Sequence, residues 1–515
     1  MTKLRTSLSR LRRGWGRKGA RQTEATPDPT SRQDDPTGRL KALTAAREHE
    51  AAMQWAEEHW HTHSEDRSFL KQVRTSASAA GAISVQRRAL ALEQQQWPGA
   101  AVSSSAAATE GRWRETSADW APHLASTDGE VPEGTETTTG RILHVLKISM
   151  PHRQSGYTMR TMYSLTGQRR AGLDPVGVTA LDFPASVGID DAAPQDEVDG
   201  IRYRRLLREA IPAKQPLDTY LDDWADALLG TVKEEKPEIL HAHSGHRGYD
   251  SALVTLAVGK HCRLPVVYEV RGFFESLWTS DTAWAEQSEV YRRRHDTEAR
   301  CMNEADAVVT LSESMRADIV ARGVPCERVH VVPNGVDTAR FVPRERPADL
   351  VERWGLGSAF VFGYVSNLDH YREGQELLID AAVELRDRGV DAVALIVGDG
   401  SRREALEEHA RERGAGASVV FTGKVPHHEV LDYYALYDTF VVPRVDERAA
   451  RLVTPLKPYE AMAMGIPLVV SDLPALAEIT GHGQRGATFA TGNAQSLTEV
   501  LAGLINDPTR REGLA

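Results

Sequence analysis

The sequence predicts an α/β protein in which two doubly wound, Rossmann-like domains face a cleft, preceded by a partly helical N-terminal extension. Three observations carry this expectation. The chain has 515 residues, whereas one hydrophobic core stops growing at roughly 250–300. From Gly140 onward, apolar β-branched runs alternate with helical stretches, the pattern of a parallel sheet covered on both faces. The series breaks near Pro343–Leu356 and starts afresh at Phe360. A composition of 41% hydrophobic and 26% charged residues suits folded domains, and a net charge of −11 argues against general nucleic-acid binding. No apolar run approaches the ~18 residues that span a bilayer. Cys262, Cys301 and Cys326 form no CxxC pair, which fits a reducing cytoplasm.

Taken in order, residues 1–38 read as a basic tail and linker. Lys3, Arg5, Arg10, Arg12, Arg13, Arg17 and Lys18 precede any acid, no apolar stretch follows them, and a Pro/Asp/Ser/Thr-rich segment closes the region. Residues 39–97, rich in Ala, Glu, Gln, Arg and Leu, predict two or three helices without one clean apolar face. Residues 98–139 return to Gly, Ser, Thr, Ala and Pro and read as linker. The first Rossmann-like domain is expected over 140–345. Its strands are RILHVLKI, DPVGVTAL, EILHAHS, PVVYEVR, AVVTL and VHVVPNGVD, and its helices include Gly156–Arg170 and one capped by Ser312. The second is expected over 346–515, with strands FVFGYVSNL, AVALIVGDG, SVVFTGKV, TFVVPR and IPLVVSD. Ligands of such domains bind at the carboxyl ends of the strands.

The most informative segment is RLVTPLKPYEAMAMGIPLVVSD, Arg451–Asp472. Thr454 suits an N-cap, Pro455 the first helical position and Gly465 the position after the last turn. Lys457 then falls in the first turn, where a cation opposes the helix dipole unless an anion is near. A phosphate docked there removes that conflict. A solvated lysine, or a local pair with Glu460 at i+3, is the plainer reading.

In order and spacing these segments resemble the retaining GT-B glycosyltransferases of the large group 4, especially the bacterial subgroup linked to exopolysaccharide and exosortase loci. The likeness runs over about 140–515 and rests on RILHVLKISMPHRQSGYTMRT, ILHAHS, PVVYEVRGFFES, ADAVVTLSESMRADIVARGVP, VHVVPNGVD, LIVGDG, VVFTGKVPHHEV and above all LVTPLKPYEAMAMG. It implies a transferase of hexosyl type that moves a sugar from a nucleoside-diphosphate sugar to an acceptor hydroxyl with retention. The acceptor would be a glycan, a lipid-linked sugar or a small molecule, and the setting polysaccharide or glycoconjugate synthesis. No metal or other cofactor is expected, since no DxD-like carboxylate pair ends a strand.

The resemblance also assigns residues. Glu460 matches the second glutamate of the E-x7-E motif, which holds the ribose; the first would fall at Leu452, so the sugar-holding role passes to the backbone of Arg451–Thr454. The lysine that normally precedes Gly374 is Glu373 here, so Arg372 and Lys457 become the diphosphate clamp. Gly156 matches the glycine of the loop after the first strand, with Arg160 one turn on; a tight turn is the alternative. His243 stands where relatives put a group near the donor sugar, or is a buried structural histidine. Arg271 and Glu275 would reach the acceptor. Gly398, Gly400, Arg444 and Thr454 would border the donor, the glycines otherwise serving as turn residues and Arg444 as a surface residue. The period-two run His59, His61, His63 reads as a solvated face rather than a metal site. A sugar-nucleotide epimerase of the same fold and a catalytically degenerate scaffold are the two alternatives. The basic tail adds a peripheral contact with anionic lipid at the inner membrane face to a cytoplasmic location.

Overall fold

The computed structural model describes residues 35–125, 137–212, 214–426 and 428–515. The expected basic tail, up to residue 34, lies outside these residues, as does 126–136 of the expected linker. Among the described residues no helix is long and apolar enough to cross a membrane.

Two sheets form the body. The first contains β1 (Arg141–Leu146), β2 (Asp174–Thr179), β3 (Gln195–Val198), β4 (Ile201–Arg204), β5 (Ile239–His243), β6 (Val266–Glu269), β7 (Ala307–Thr310) and β8 (Val329–Val331). Their order is β3-β4-β2-β1-β5-β6-β7-β8, parallel except for the antiparallel β3–β4 edge. The second contains β9 (Phe360–Val365), β10 (Ala392–Val397), β11 (Val419–Gly423), β12 (Thr439–Val442), β13 (Leu468–Ser471) and β14 (Ala487–Phe489), in the parallel order β11-β10-β9-β12-β13-β14. In each sheet the order reverses at the first strand, between β1 and β5 and between β9 and β12. That topological switch opens a crevice at the carboxyl ends. The central strands are buried on both faces, as their unbroken apolar runs require: every residue of β10 and β12 is buried.

The extension departs from expectation. Helices cover Pro36–Ala45, His49–Glu58, Trp60–His63, Arg67–Ala80 and Ile83–Gln96, and they share a core of Leu40, Leu43, Phe69, Leu70 and Val73. The first begins inside the segment expected as tail, because Asp35 accepts from the Gly38 amide at 2.9 Å and caps it. A sixth helix, Ala100–Arg114, replaces much of the expected linker. Its small residues read as loop, yet they are what allows close docking: Gly111 lies against Asp218 and Leu217 of the helix Leu217–Glu235, where a Cβ would clash. Arg114 pairs with Asp218 at 2.9 Å.

The domains meet along one edge. Glu478 of the second domain accepts from the Glu313 and Ser314 amides, both at 2.8 Å, and so caps the helix Glu313–Ala321 of the first. Ser312 caps the same helix through the Met315 amide (3.1 Å) and donates to the Leu452 carbonyl at 2.8 Å. Arg448 pairs with Asp318 at 2.8 Å and approaches Glu275 at 3.7 Å.

Candidate active site

The short helix Lys457–Ala463 follows the β12 end and presents Lys457 and, one turn on, Glu460. Both are half-buried. The helix starts later than expected: Leu456 occupies the N-cap without a side-chain bond, and Pro458 supplies the early proline. Thr454 caps nothing; it is buried, and its carbonyl and hydroxyl oxygens accept from Asn334 Nδ2 at 2.8 and 3.3 Å. Gly465, at φ +70°, ends the turn as expected.

Glu460 Oε2 accepts from the Tyr434 hydroxyl at 2.6 Å, which aims the carboxylate. Burial raises its pKa, with the Tyr434 bond and Lys457 opposing. Lys457 Nζ lies 5.7 Å from the centre of the Tyr364 ring. Burial pulls its pKa down, and Glu373 and Glu460 offset part of that shift. Across the chain at Gly156 the helix Gly156–Arg170 begins, capped by Ser155 in a reciprocal box with Thr158. A Cβ at Gly156 would touch Leu456 at 3.7 Å, so this helix start in the first domain lies beside the entry to the Lys457 helix in the second.

Glu373 stands at the centre. It is buried, accepts from Tyr364 at 2.7 Å and from Arg444 Nη2 and Nε at 3.0 and 3.3 Å. Burial would raise its pKa, but Arg444, then Lys457 and the two hydrogen-bonding partners, outweigh it and bring it to about 2. Arg444 is therefore not a surface residue open to the donor: it is buried, neutralised by Glu373, and its Nη1 donates to the Val453 carbonyl at 3.0 Å. The Leu452 carbonyl accepts from Ser312, the Val453 carbonyl from Arg444 and the Thr454 carbonyl from Asn334, so three of the four carbonyls of the segment expected to hold the sugar already have partners. Arg372 is half-buried, 3.7 Å from Glu373 and 4.0 Å from Glu447. It lines a cavity of about 610 Å³ between the 369–372 turn and the 276–286 segment, a cavity Lys457 does not border. The two expected clamp cations thus both neighbour Glu373 without sharing one pocket.

Several expected site residues serve the scaffold. His243 is 0% exposed, with Nε2 2.8 Å from His144 Nδ1 and Nδ1 3.3 Å from Glu269; nothing of it reaches a donor. Burial holds His144 and His243 well below the usual histidine pKa. Glu269, whose burial penalty is outweighed by Arg271, His243 and Arg160, stays ionised. Arg160 bonds Glu269 at 2.7 Å and the Val332 and Pro333 carbonyls, and Arg271 bonds Glu269, the Tyr157 carbonyl and Thr161. Both tie β6 to the helix Gly156–Arg170 rather than face a substrate. Glu275 is buried against Arg322 at 2.6 Å, an ion pair at the domain edge instead of an acceptor contact. Gly398, at φ +139°, and Gly400 press on the backbone after β9: a Cβ at either would fall on the Ser366 or Leu368 carbonyl group. Their smallness brings the two loops together.

His144, His241 and His243 bring ligand atoms within 4.8 Å of one another. The 2.8 Å contact between two of them is a hydrogen bond, shorter than the ~3.3 Å separation that tetrahedral coordination by two imidazoles at ~2.0 Å requires. Arg160 and Arg271 on the shared Glu269 further disfavour a cation. His59, in the other histidine run, is stacked on Trp55 with Nδ1 3.0 Å from the Trp55 carbonyl.

Sequence reasoning did not find Tyr364, Tyr434 and Glu478, nor the Glu373–Arg444 pair. Their partners lie from 9 to 165 positions away in the chain, and no local pattern announces such contacts.

Comparison with known proteins places this geometry. Residues 155–335 match the family described as "Glycosyl transferase 4-like domain", and residues 359–507 match "Glycosyl transferases group 1". A GDP-mannose-dependent alpha-(1-6)-phosphatidylinositol monomannoside mannosyltransferase of Mycolicibacterium smegmatis is 33% identical over 214 residues, 41% of this chain and 56% of the relative. The glycogen synthase of Mycobacterium tuberculosis is 27% identical over 54% of this chain and 63% of its own length. The chain therefore spans little more than half of these curated relatives. Among solved structures, Anabaena HepE in complex with UDP superposes with a TM-score of 0.54 at 19% identity, covering 73% of this chain and 92% of that one, which shows a shared fold. Two parallel Rossmann-like sheets, each matched by its own family and together making up well over half of the sequence, mean that the chain belongs to the group 1, family 4-like glycosyltransferases of GT-B fold.

Proposed function

We propose that the protein transfers a sugar from a nucleoside-diphosphate sugar to an acceptor hydroxyl with retention at the anomeric carbon, in polysaccharide or glycoconjugate synthesis. The observation that carries this reading is the pairing of Lys457 and Glu460 on one short helix at the β9/β12 switch point, beside the helix that starts at Gly156. Glu460, aimed by Tyr434, suits the ribose hydroxyls, while Lys457, one turn before it, suits the diphosphate, with Arg372 on the other side of Glu373 in the same domain. As the bond from the anomeric carbon to the phosphate oxygen breaks, charge grows on the leaving diphosphate, and fixed cations stabilise it. The bond from the acceptor oxygen forms on the same face, and the acceptor's proton passes to that phosphate oxygen. The state of the nearby carboxylates supports this route: Glu373 is locked by Arg444 and Tyr364, and Glu269 is buried, so neither is offered as nucleophile. Charge neutralisation by side chains also makes a metal unnecessary. Nearness of the basic segment Lys3–Lys18 to anionic lipid belongs to the same reading, since it would hold the enzyme close to a lipid-linked acceptor.

The test is a thermal-shift panel of UDP, GDP, dTDP, ADP and their common sugar conjugates. A nucleotide at 100 times its Kd stabilises by about 2.7 kcal/mol. One base should give a clear shift that Glu460→Ala and Lys457→Ala lose, with turnover unaffected by EDTA and lowered about 10²-fold or more in Lys457→Ala. Absence of any shift across the panel would sink the reading.

A further inference from the structure

A second cavity, of about 250 Å³, lies between the extension and the first domain, and none of the donor-site residues lines it. Four guanidinium groups, of Arg112, Arg247, Arg293 and Arg294, stand on its wall. Two are engaged: Arg293 donates to Thr116 Oγ1 at 2.9 Å and to the Trp113 carbonyl at 2.5 Å, and Arg247 pairs with Asp250 at 3.2 Å. Arg112 donates only within its own helix, to the Ala108 carbonyl (3.3 Å) and Thr109 Oγ1 (3.2 Å), and it feels the like charge of Arg247 and Arg294. Among the described residues, neither Arg112 nor Arg294 has a carboxylate within 4.0 Å.

The cavity's single acidic residue does not supply the missing charge. Glu115 is 2% exposed; Oε1 accepts from the Tyr249 hydroxyl at 3.1 Å, and Oε2 has no partner. Burial pushes its pKa to about 8, so at neutral pH it is an acid with a proton to donate. Two guanidinium groups without a carboxylate partner, those of Arg112 and Arg294, beside a buried carboxylic acid with an unused oxygen, make a site for oxyanions. Trp278 and Thr279 line both this cavity and the 610 Å³ cavity that Arg372 borders, so an anion here would sit one side-chain layer from that cavity, on the first-domain side where an acceptor would enter.

We propose that this arginine-lined cavity is an anion subsite that holds the phosphate or carboxylate of the glycosyl acceptor, making the extension part of acceptor recognition. The acceptor assignment rests on the transferase reading; the anion site itself does not.

The experiment titrates the full chain with inorganic phosphate, glucose 1-phosphate and glucose by calorimetry, in wild type, in Arg112→Gln/Arg294→Gln and in Arg112→Lys/Arg294→Lys. Phosphate and the sugar phosphate should bind and compete, glucose should not, and the Gln pair should weaken both by about tenfold or more. The Lys pair should recover part of the loss, which a folding defect would not allow. Phosphate binding unchanged in the Gln pair would overturn the site, and binding of inorganic phosphate without the sugar phosphate would overturn its assignment to an acceptor. The nucleoside-diphosphate response, measured in the Gln pair, should persist. If that response is absent even in wild type while arginine-dependent phosphate binding remains, the transferase reading falls and the anion site stands.

Discussion

Glu373 occupies the place where the family resemblance predicts a lysine, and the structure makes it one half of a buried ion pair. Its carboxylate neutralises Arg444 in a buried setting, leaving Lys457 as the nearby cation whose ammonium, among the described residues, has no close ion pair. Replacing Glu373 by Gln should strand Arg444 as a buried unpaired charge and cost about 3–5 kcal/mol, seen as a fall of several degrees in Tm. Replacing it by Lys should be worse, because three cations would then crowd together. The pair also sets an acid limit. With a folded pKa of about 2 against an ordinary 4.5, Glu373 contributes stability that is fully present above pH 4.5 and is lost as pH falls from there toward 2. That contribution, on the order of 3 kcal/mol, should be missing from the acid melting curve of Glu373→Gln. A Gln variant with wild-type Tm and acid limb would refute the pairing.

At the scale of elements, helix ends and their caps decide how the two domains close. The helix Glu313–Ala321 receives two amide bonds from Glu478, a carboxylate placed at the positive end of its dipole by the other domain. Glu478→Ala should cost about 1 kcal/mol of cap energy and loosen the domain edge, leaving Arg448–Asp318, Ser312–Leu452 and Asn334–Thr454 as polar ties. X-ray scattering should show a larger radius of gyration in the variant, and an unchanged one would mean the edge is held by apolar packing. Several elements missed from the sequence share one cause. β3 and β4 read QDEV and IRYR, an edge strand and its neighbour, each of four residues, whose alternation is too short to register. The helix Ala100–Arg114 has Ser and Thr that bond back to their own helix, as Ser105 does to the Ala101 carbonyl at 2.9 Å, so loop-like composition was satisfied helically.

At the scale of the whole molecule, the extension behaves as a third layer docked on the first domain. Trp284 Nε1 donates to the Ala80 carbonyl at 2.8 Å, Glu289 accepts from the Ser84 amide at 2.9 Å, and Tyr249 reaches Glu115. These contacts bury groups from both sides, so the extension and first domain should unfold together. Hydrogen exchange should give the helices Arg67–Ala80 and Ile83–Gln96 protection comparable to β5 and β6; early independent exchange of those helices would contradict this.

What the sequence determined by itself is the repeating local signal. Alternation of apolar strands and helices, the helix Gly156–Arg170, the Ser312 cap and the Gly465 stop were all legible, because each depends on neighbours within a few positions. That Lys457 and Glu460 share one short helix was legible too, but the expected i, i+3 ion pair does not form: Glu460 takes Tyr434 as its hydrogen-bond partner instead. What only the tertiary structure decided is which charges remain available. Arg160 on a helix and Arg271, Arg444, Glu275 and His243 at or beyond strand ends carry chemistry-bearing side chains, yet each bonds a partner far away in the chain. Burial makes such partnering obligatory, since an unpaired charge in a core costs more than the fold can spare, and partners chosen by three-dimensional proximity leave no periodic trace in the chain.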